Sequence, residues 1–269
     1  GSSRLGWSEA RTLPPFPRSK ALSYRTPSMI EETQPLTGSS PSVKNATMDV
    51  RAGFIRKVYA LLSVQLVLTV AIAAPFQCIS HKWLMANRWL MWLSVVMTIA
   101  TICTMTCCQE LTRRFPTNYI LLFTFTAFEG CLVGFFSVHY TWQSVLLAAG
   151  ITVLIFLGVT AYACLTTTDF TGMGVYFFIA ILTFAMFGLV LAVLGIFGIH
   201  IKWMMMVYNV IGVLIFTFYI IFDTQLILGE HGGHKFQFSI DDYVFAALNL
   251  YMDIIQLFMH ILRLVGQRQ

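Results

Sequence analysis

Charged residues are scarce in this chain of 269 residues, where Asp, Glu, Lys and Arg together account for 11%. A typical globular domain carries about 25% charged residues, so this chain lacks the polar surface of an ordinary soluble protein. Hydrophobic residues account for 57%, and the mean hydropathy is +0.74. These residues occur in long blocks, which is the pattern that membrane-spanning helices require.

The short motifs of several enzyme and metal-binding classes are also missing. The sequence contains no HExxH, GxSxG or GxxxxGK[ST] segment, which argues against the enzyme classes that depend on them. Its six cysteines include no CxxC pair, and they lie within or at the ends of apolar blocks, where cysteine behaves as a small hydrophobe. We therefore expect a protein that is not an enzyme and needs no cofactor.

Seven apolar blocks are each long enough to cross about 30 Å of hydrocarbon at about 1.5 Å per residue. They predict helices at 57–79, 88–108, 118–138, 143–165, 173–198, 203–228 and 242–265. Short connections make sequential helices antiparallel neighbours. The expected fold class is all-α, a polytopic integral membrane protein with seven transmembrane helices, and the lipid bilayer is its first partner.

The N-terminal region differs in composition from the rest of the chain. Residues 1–50 hold six of the eight prolines, which together with many Ser and Thr is typical of a disordered tail. Nine of the 17 Lys and Arg residues lie before residue 58, a bias that predicts a cytosolic tail. The membrane domain is predicted to comprise residues 51–269. Because no folded basic face is visible, we expect no nucleic acid as a partner.

Three acids lie inside apolar helices: Glu129, Asp223 and Asp253. A charged side chain at the bilayer centre costs about 2.5–3.5 kcal/mol on insertion scales, so such residues face the bundle interior or a wet cavity. They often mark a path for ions or protons. The alternative is a neutral, hydrogen-bonded carboxyl that only holds helices together.

Four polar residues recur at helical spacing in the seventh predicted helix: Asn249, Asp253, Gln256 and His260. This spacing puts them on one face, and a polar stripe cannot face lipid, so we predict that the seventh helix is central. We expect the opposite, apolar face, with Ile255 and Leu262, to be accessible to lipid. A static ladder of interhelical hydrogen bonds is the alternative reading of the stripe.

Distances from the helix ends indicate which acids can meet. Asp253 lies about 16 Å from the cytosolic end of its helix and Asp223 about 7–8 Å from the end of its own. Glu129, about eleven residues into the third helix, therefore matches the depth of Asp253 better than Asp223 does. Helix boundaries carry an uncertainty of about two to four residues, so an Asp223–Asp253 pair also stays open.

Three segments resemble a known family: RAGFIRKVYALLSVQL before and within the first helix, DTQLILG closing the sixth, and SIDDYVFAALNLYMDIIQLFMHILRLVG at the end. The chain is similar over about residues 50–266 to the transmembrane BAX inhibitor motif (Bax inhibitor-1-like) family, in its lifeguard and Golgi anti-apoptotic branch. The resemblance implies seven helices with the seventh surrounded by the other six. It also implies a pH-sensitive calcium leak channel of intracellular membranes that modulates calcium stores and suppresses apoptosis.

The resemblance further implies the roles of individual residues and partners. The family's paired aspartates correspond to Asp223 and Asp253, as pH sensor, ion gate and transient calcium ligands, and the family's arginine latch corresponds to Arg113 or Arg114. The resemblance assigns no role to Glu129 of the third helix, and this residue and the remaining polar residues of the stripe (Asn249, Gln256 and His260) are candidates to line the pore because they are polar residues inside apolar helices. The expected partners are calcium, as the permeant ion, protons and apoptosis-regulating membrane proteins. The expected location is the Golgi or the endoplasmic reticulum, with other endomembranes or the plasma membrane as alternatives.

General chemistry makes these roles intelligible. Two carboxyls held close in a low dielectric resist double ionisation and share a proton. A carboxylate near the cytosolic mouth can pair with arginine and close the pore, and protonation would weaken that pair. Ionised oxygens also suit Ca²⁺, a hard cation.

Two other functions are compatible with the same residues. A proton-coupled cation exchanger would use the acids for saturable countertransport, whereas a leak dissipates a gradient without an exchanged ion. A non-conducting regulator that binds apoptotic proteins would stay active after both aspartates are neutralised.

The orientation predicts the fate of one glycosylation sequon, Asn45-Ala46-Thr47. If the tail is cytosolic, Asn45 stays unglycosylated, because glycan transfer occurs on the lumenal side. Endoglycosidase treatment of the protein from cells should then leave its gel mobility unchanged, as in an Asn45→Gln control. A mobility shift that the control lacks would reverse the orientation.

Overall fold

The computed structural model describes residues 43, 46–79, 81–199, 201–229 and 238–267. The elements in these ranges are helices: α1 (Met48–Ala73), α2 (His81–Ala86), α3 (Arg88–Cys107), α4 (Gln109–Arg113), α5 (Thr117–Ser137), α6 (Trp142–Leu165), α7 (Gly174–Ile196), α8 (Lys202–Leu228) and α9 (Tyr243–Val265). Short 3-10 helices occur at Ala74–Cys78, Thr171–Met173 and Ile240–Asp242. Most of the predicted 1–50 tail, including Asn45, lies outside the described residues, so its disorder stays a prediction.

Seven helices among the described residues are long and apolar enough to cross a membrane, which confirms the predicted fold class. They are α1 with its 3-10 extension, α3, α5, α6, α7, α8 and α9 with its preceding 3-10 turn. For the last six, the helix bounds agree with the predicted bounds to within two residues. Hydropathy locates these helices well because their apolar blocks end close to the helix ends.

The first helix begins earlier than predicted, at Met48 instead of 57. Thr47 has extended backbone, and Asp49 lies in the first turn, where an acidic side chain complements the helix dipole. Hydropathy marks only the segment inside the hydrocarbon, whereas the helix continues through polar residues beyond it. The short helices α2 and α4 were not predicted, because five or six residues are too few to show a helical period.

The seventh spanning helix, α9, is the central one, as predicted. In its most apolar stretch 78% of the residues are buried, against 11% for α7. The helix packs against α1, α5, α6 and α8. Its polar side chains therefore face protein, which is the only environment in the bilayer that can satisfy them.

The expectation that one face of α9 meets lipid is wrong. Ile255 is 5% exposed and Leu262 is fully buried. The neighbouring helices cover the apolar face as well as the polar one. The sequence could not show this, because an apolar side chain is equally suited to a lipid tail and to another helix.

Glycines set the close contact between α1 and α5. A Cβ atom at Gly134 would lie 2.6 Å from the ring of Phe76, and one at Gly130 would lie 3.2 Å from the Cβ of Ile72. Side chains larger than hydrogen at Gly134 would therefore push the first membrane segment away. This contact fixes the register in which polar residues of α1 and α5 face each other.

Burial on all sides of α9 predicts a labelling pattern. In a background that lacks the six native cysteines, cysteines at Ile255 and Leu262 should both resist a thiol reagent dissolved in lipid. The matched control is Leu189→Cys in α7, where the side chain is 56% exposed and should be labelled readily. Labelling of the two α9 positions at the rate of the control would contradict the central position of this helix.

Candidate functional site

The two predicted aspartates of the gate lie together between α8 and α9. Asp223 is 5% exposed and Asp253 is 7% exposed, and their side chains are hydrogen-bonded to each other. An ionised carboxylate can only accept hydrogen bonds, so this contact requires a proton on one of the two groups. A direct hydrogen bond between the two carboxyls is therefore formed only while the pair carries at least one proton.

Close packing of α8 on α9 brings the aspartates together. A Cβ atom at Gly212 would lie 2.8 Å from the ring of His260, and the Phe216 ring stacks on the same imidazole with centroids 5.6 Å apart. The two helices run antiparallel, so the approach at Gly212 and His260 sets the register that places Asp223 beside Asp253. Glycine is needed at 212 because a larger side chain would separate the helices.

The depth argument from the sequence favoured the wrong partner for Asp253. Asp223 lies five residues before Leu228, and Asp253 lies ten residues after Tyr243. These offsets correspond to about 7.5 Å and about 15 Å along the axes. Since the side chains meet, the N-terminal end of α9 extends roughly 8 Å beyond the C-terminal end of α8. Counting from the sequence assumed that all helices end at one level.

One oxygen of the pair has no hydrogen-bond donor. Oδ2 of Asp253 is buried and receives no hydrogen bond from any residue that the structure describes. Buried polar atoms are nearly always satisfied in folded proteins, so an exception calls for an explanation. A carboxylate oxygen in this state can accept a second proton or coordinate a hard cation.

Arg113 does not contact the aspartate pair but forms an ion pair with Asp242. Its Nε donates to Oδ1 at 2.7 Å and its Nη2 donates to Oδ2 at 3.0 Å. The hydrogen bond with Asp242 raises the pKa of Arg113. Oδ2 of Asp242 also accepts a hydrogen bond of 3.0 Å from the backbone N–H of Ser239, so its carboxylate is held from two sides.

Arg114, the other latch candidate, pairs with Glu110 at 3.2 Å on the surface, where their side chains are 72% and 84% exposed. Such exposed ion pairs contribute little to the free energy of unfolding. The contact between an arginine and the aspartate pair, implied by the family resemblance, is therefore not formed in this structure. The latch remains a prediction.

Three helices contact the N-terminal end of α9. Besides Arg113 of α4, Asn118 of α5 donates to the Tyr243 hydroxyl at 3.2 Å, and Lys57 of α1 lies 5.2 Å from the centre of the Tyr243 ring. Asp242 was not among the predicted site residues. An acid at the start of the central helix was a signal in the sequence, but its partner could not be identified without the structure.

The remaining polar residues of the α9 stripe have different surroundings. His260 lies on the α8 side, and its Nδ1 is 3.0 Å from Oδ1 of Asn209. That nitrogen is the donor, because an amide oxygen only accepts. Asn249 and Gln256 are half-buried on α9. Glu129 lies in α5 and is half-buried.

Gln225, two residues after Asp223, has a positioning role that sequence reasoning missed. Its Oε1 accepts from the backbone N–H of Phe170 at 2.8 Å, and its Nε2 donates to the carbonyl of Thr168 at 2.8 Å. Both ends of the amide thus hold the connection between α6 and α7 against the cytosolic end of α8.

No group of three or more His, Cys, Asp or Glu side chains in the described ranges is arranged to hold a metal ion. The two carboxylates of the aspartate pair supply fewer oxygens than the six to eight that Ca²⁺ takes when it is tightly bound. Transient coordination of a passing ion by Asp223 and Asp253 remains a prediction.

Comparison with known proteins agrees with this architecture. The family model described as "Inhibitor of apoptosis-promoting Bax1" matches residues 51–269. Protein lifeguard 3 of Mus musculus is 37% identical over 221 residues, which cover 81% of this chain and 70% of that protein, and the Homo sapiens protein of the same name is 36% identical over the same shares. The Golgi anti-apoptotic protein of Vaccinia virus (strain Lister) is 33% identical over 231 residues, which cover 83% of this chain and 89% of that protein. With seven spanning helices in its described residues, the central α9 among them, and with these relatives, the chain belongs to the Bax inhibitor-1-like family.

Proposed function

We propose that this protein is a pH-sensitive calcium leak channel of intracellular membranes that modulates calcium stores and suppresses apoptosis. The observation that carries the proposal is the buried pair of Asp223 and Asp253, whose carboxyls meet between α8 and the central α9. An ionisable pair at the centre of a membrane bundle can respond to pH and attract a cation. The proposal involves no enzymatic step.

The shared proton makes the contact between α8 and α9 dependent on pH. With one proton, the bond between the carboxyls is charge-assisted, and such bonds are roughly twice as strong as neutral ones. Acidification adds a second proton, which leaves a weaker neutral bond. The weaker contact lets α8 and α9 separate, so a fall in pH favours the open state.

The same carboxylates supply the attraction for calcium. The free Oδ2 of Asp253 is a hard oxygen ligand in a region where few others exist. Two carboxylates do not form a tight site, and weak binding is what conduction requires, since a permeant ion has to leave as well as enter.

The contacts at the cytosolic start of α9 provide a second restraint on opening. The Arg113–Asp242 ion pair links the α3–α5 connection to this helix. Because α9 carries one member of the aspartate pair, a displacement of its cytosolic end would disturb that pair. Arg113 in this role would be a latch, with Asp242 instead of Asp223 or Asp253 as its partner.

The relatives support the proposed location and physiological role. One of them is named a Golgi anti-apoptotic protein, and the family model is described by inhibition of an apoptosis-promoting protein. We therefore place the leak in the Golgi or the endoplasmic reticulum, where calcium stores are held. Membrane proteins that regulate apoptosis are proposed partners.

The aspartate pair predicts the pH profile of calcium efflux from proteoliposomes between about pH 5 and about pH 8. A change of about 1.4 kcal/mol in the closed-state contact shifts the open population about tenfold. Asp223→Asn and Asp253→Asn should each flatten the rise in efflux at acid pH, because an amide does not titrate. Asp253→Asn should also reduce the flux if that carboxylate attracts calcium.

The control for both variants is Asp49→Asn, which changes an exposed acid at the start of α1 and should keep the wild-type profile. If both pair variants keep the wild-type profile as well, the paired-carboxyl gate is wrong. If cell-death suppression survives when both aspartates are neutralised while efflux is lost, the protein acts as a non-conducting regulator.

The ion pair at the start of α9 predicts a resting leak at neutral pH. Arg113→Ala and Asp242→Asn should each raise it roughly fivefold, as expected for the loss of about 1 kcal/mol from the closed state. The double variant should leak no more than either single variant, because both remove one interaction. Arg114→Ala is the matched control and should change little, since its ion pair is exposed. Additive effects of the two single changes would show that Arg113 and Asp242 do not act as a pair.

A further inference from the structure

A second buried polar cluster lies on the side of α9 that faces α1 and α5. Four side chains form it: Gln65, Thr69, Thr126 and Tyr251, each at most 3% exposed. Gln65 Nε2 donates to Thr126 Oγ1 at 3.0 Å, and the hydroxyls of Thr69 and Tyr251 are 2.7 Å apart. Tyr251 is two residues from Asp253, about 200° around the helix, so this cluster and the aspartate pair lie on opposite sides of α9.

One acceptor in this cluster has no donor. Oε1 of Gln65 is buried and receives no hydrogen bond from any described residue. The two threonine hydroxyls cannot supply one, because Thr69 donates to the carbonyl of Gln65 and Thr126 donates to the carbonyl of Leu122. A buried acceptor that is left without a donor destabilises the folded protein. The oxygen therefore points to a ligand that can donate, or to a cation.

Glu129 is positioned to supply that donor. It lies one turn beyond Thr126 on α5 and four residues beyond Phe125, whose ring packs edge-on against Tyr251 with centroids 6.0 Å apart. Long side chains on a helix lean towards its N-terminus, which directs the Glu129 carboxyl to the level of Thr126 and Gln65. The next residue, Gly130, lies directly against α1, where a Cβ atom would be 3.4 Å from the Cα of Thr69, so this stretch of α5 borders the cluster.

We propose that Glu129 is a proton-binding site in which the protonated carboxyl donates its hydrogen bond to Oε1 of Gln65. The bound ligand is a proton taken up from water, and no other bond forms or breaks. A proton needs no cavity, and one protonation satisfies both the acid and the orphan oxygen. The site is separate from the aspartate pair and does not depend on the proposed calcium leak.

The surroundings of Glu129 contain few other titratable groups. Tyr251 lies on the α5 side of α9, where its ring packs on Phe125, while Asp253 lies on the α8 side and meets Asp223. The sides of α1 and α3 that pack on α5 present buried polar groups without charge: Gln65, Thr69, Ser94 and Thr98. The charged residues of α4 lie at the cytosolic end of α5, about 18 Å from Glu129 along the helix axis. Titration of this site is therefore that of one carboxyl.

Infrared difference spectroscopy of the purified protein in lipid nanodiscs tests the proposal. Wild type minus Glu129→Gln should show a C=O band of a protonated carboxyl at neutral pH. Gln65→Met, which keeps the side-chain size but removes the acceptor, should move that band to higher frequency, because a carboxyl without its hydrogen bond has a stiffer C=O bond. A role in packing alone would not shift a carboxyl frequency.

Matched variants separate this site from the others. Glu110→Gln removes an 84% exposed carboxyl and should leave the spectrum at the position of the Glu129 band unchanged. The band should persist in Asp223→Asn/Asp253→Asn, so failure of the calcium leak would not affect the result. Absence of a protonated-carboxyl band, or a band that Gln65→Met leaves in place, would overturn the proposal. Thr126→Val provides a second test. It removes the acceptor of the Gln65 Nε2 hydrogen bond but leaves Oε1 in place, so the Glu129 band should remain.

Discussion

The structure depends on one constraint, which is that a polar side chain inside a bilayer cannot find its partners in lipid and has to face protein or a wet cavity. The central helix α9 carries acidic, amide, imidazole and phenol groups along its length, and the helices around it supply their partners. Asp253 is bonded to Asp223, His260 to Asn209 and Tyr251 to Thr69. Because these partners come from α8 and α1, the polar groups fix which helices surround α9 and in which register.

The same constraint explains why function is expected at the centre of the bundle. Neutral side chains would hold helices together at a lower free-energy cost of burial. Asp223, Asp253 and Glu129 are instead carboxyls, whose ionised form is unfavourable in a low dielectric. On one side of α9 two carboxyls meet, and on the other Oε1 of Gln65 is a buried acceptor without a donor among the described residues, for which we propose the protonated carboxyl of Glu129. The strength of the hydrogen bond between the two aspartates can change with pH, and their oxygens can still bind a cation. These two properties are the basis of the proposed leak.

Much of this architecture could be predicted from the sequence. The seven spans follow from apolar blocks, and the central position of α9 follows from polar residues at helical spacing. The family resemblance also selected Asp223 and Asp253. The pairing itself could not be obtained from depth, because α8 and α9 end at different levels. The partner of Arg113 and the role of Gln225 could not be predicted from the sequence either. Arg113 lies in the short helix α4, and Gln225 contacts the α6–α7 connection. The positions of these connecting segments near the helix ends are known only from the structure. Burial of Ile255 and Leu262 was missed because an apolar face does not reveal whether lipid or protein covers it.

The claim that this bundle conducts calcium by itself can be tested most directly with wild-type protein as the only protein in calcium-loaded liposomes. The measurement is calcium efflux as the outside pH is lowered, with and without a second cation available for exchange. The account predicts efflux that rises with acidity and does not require the second cation. Efflux only in the presence of an exchanged cation would identify an exchanger, and absence of efflux at every pH would contradict the channel itself.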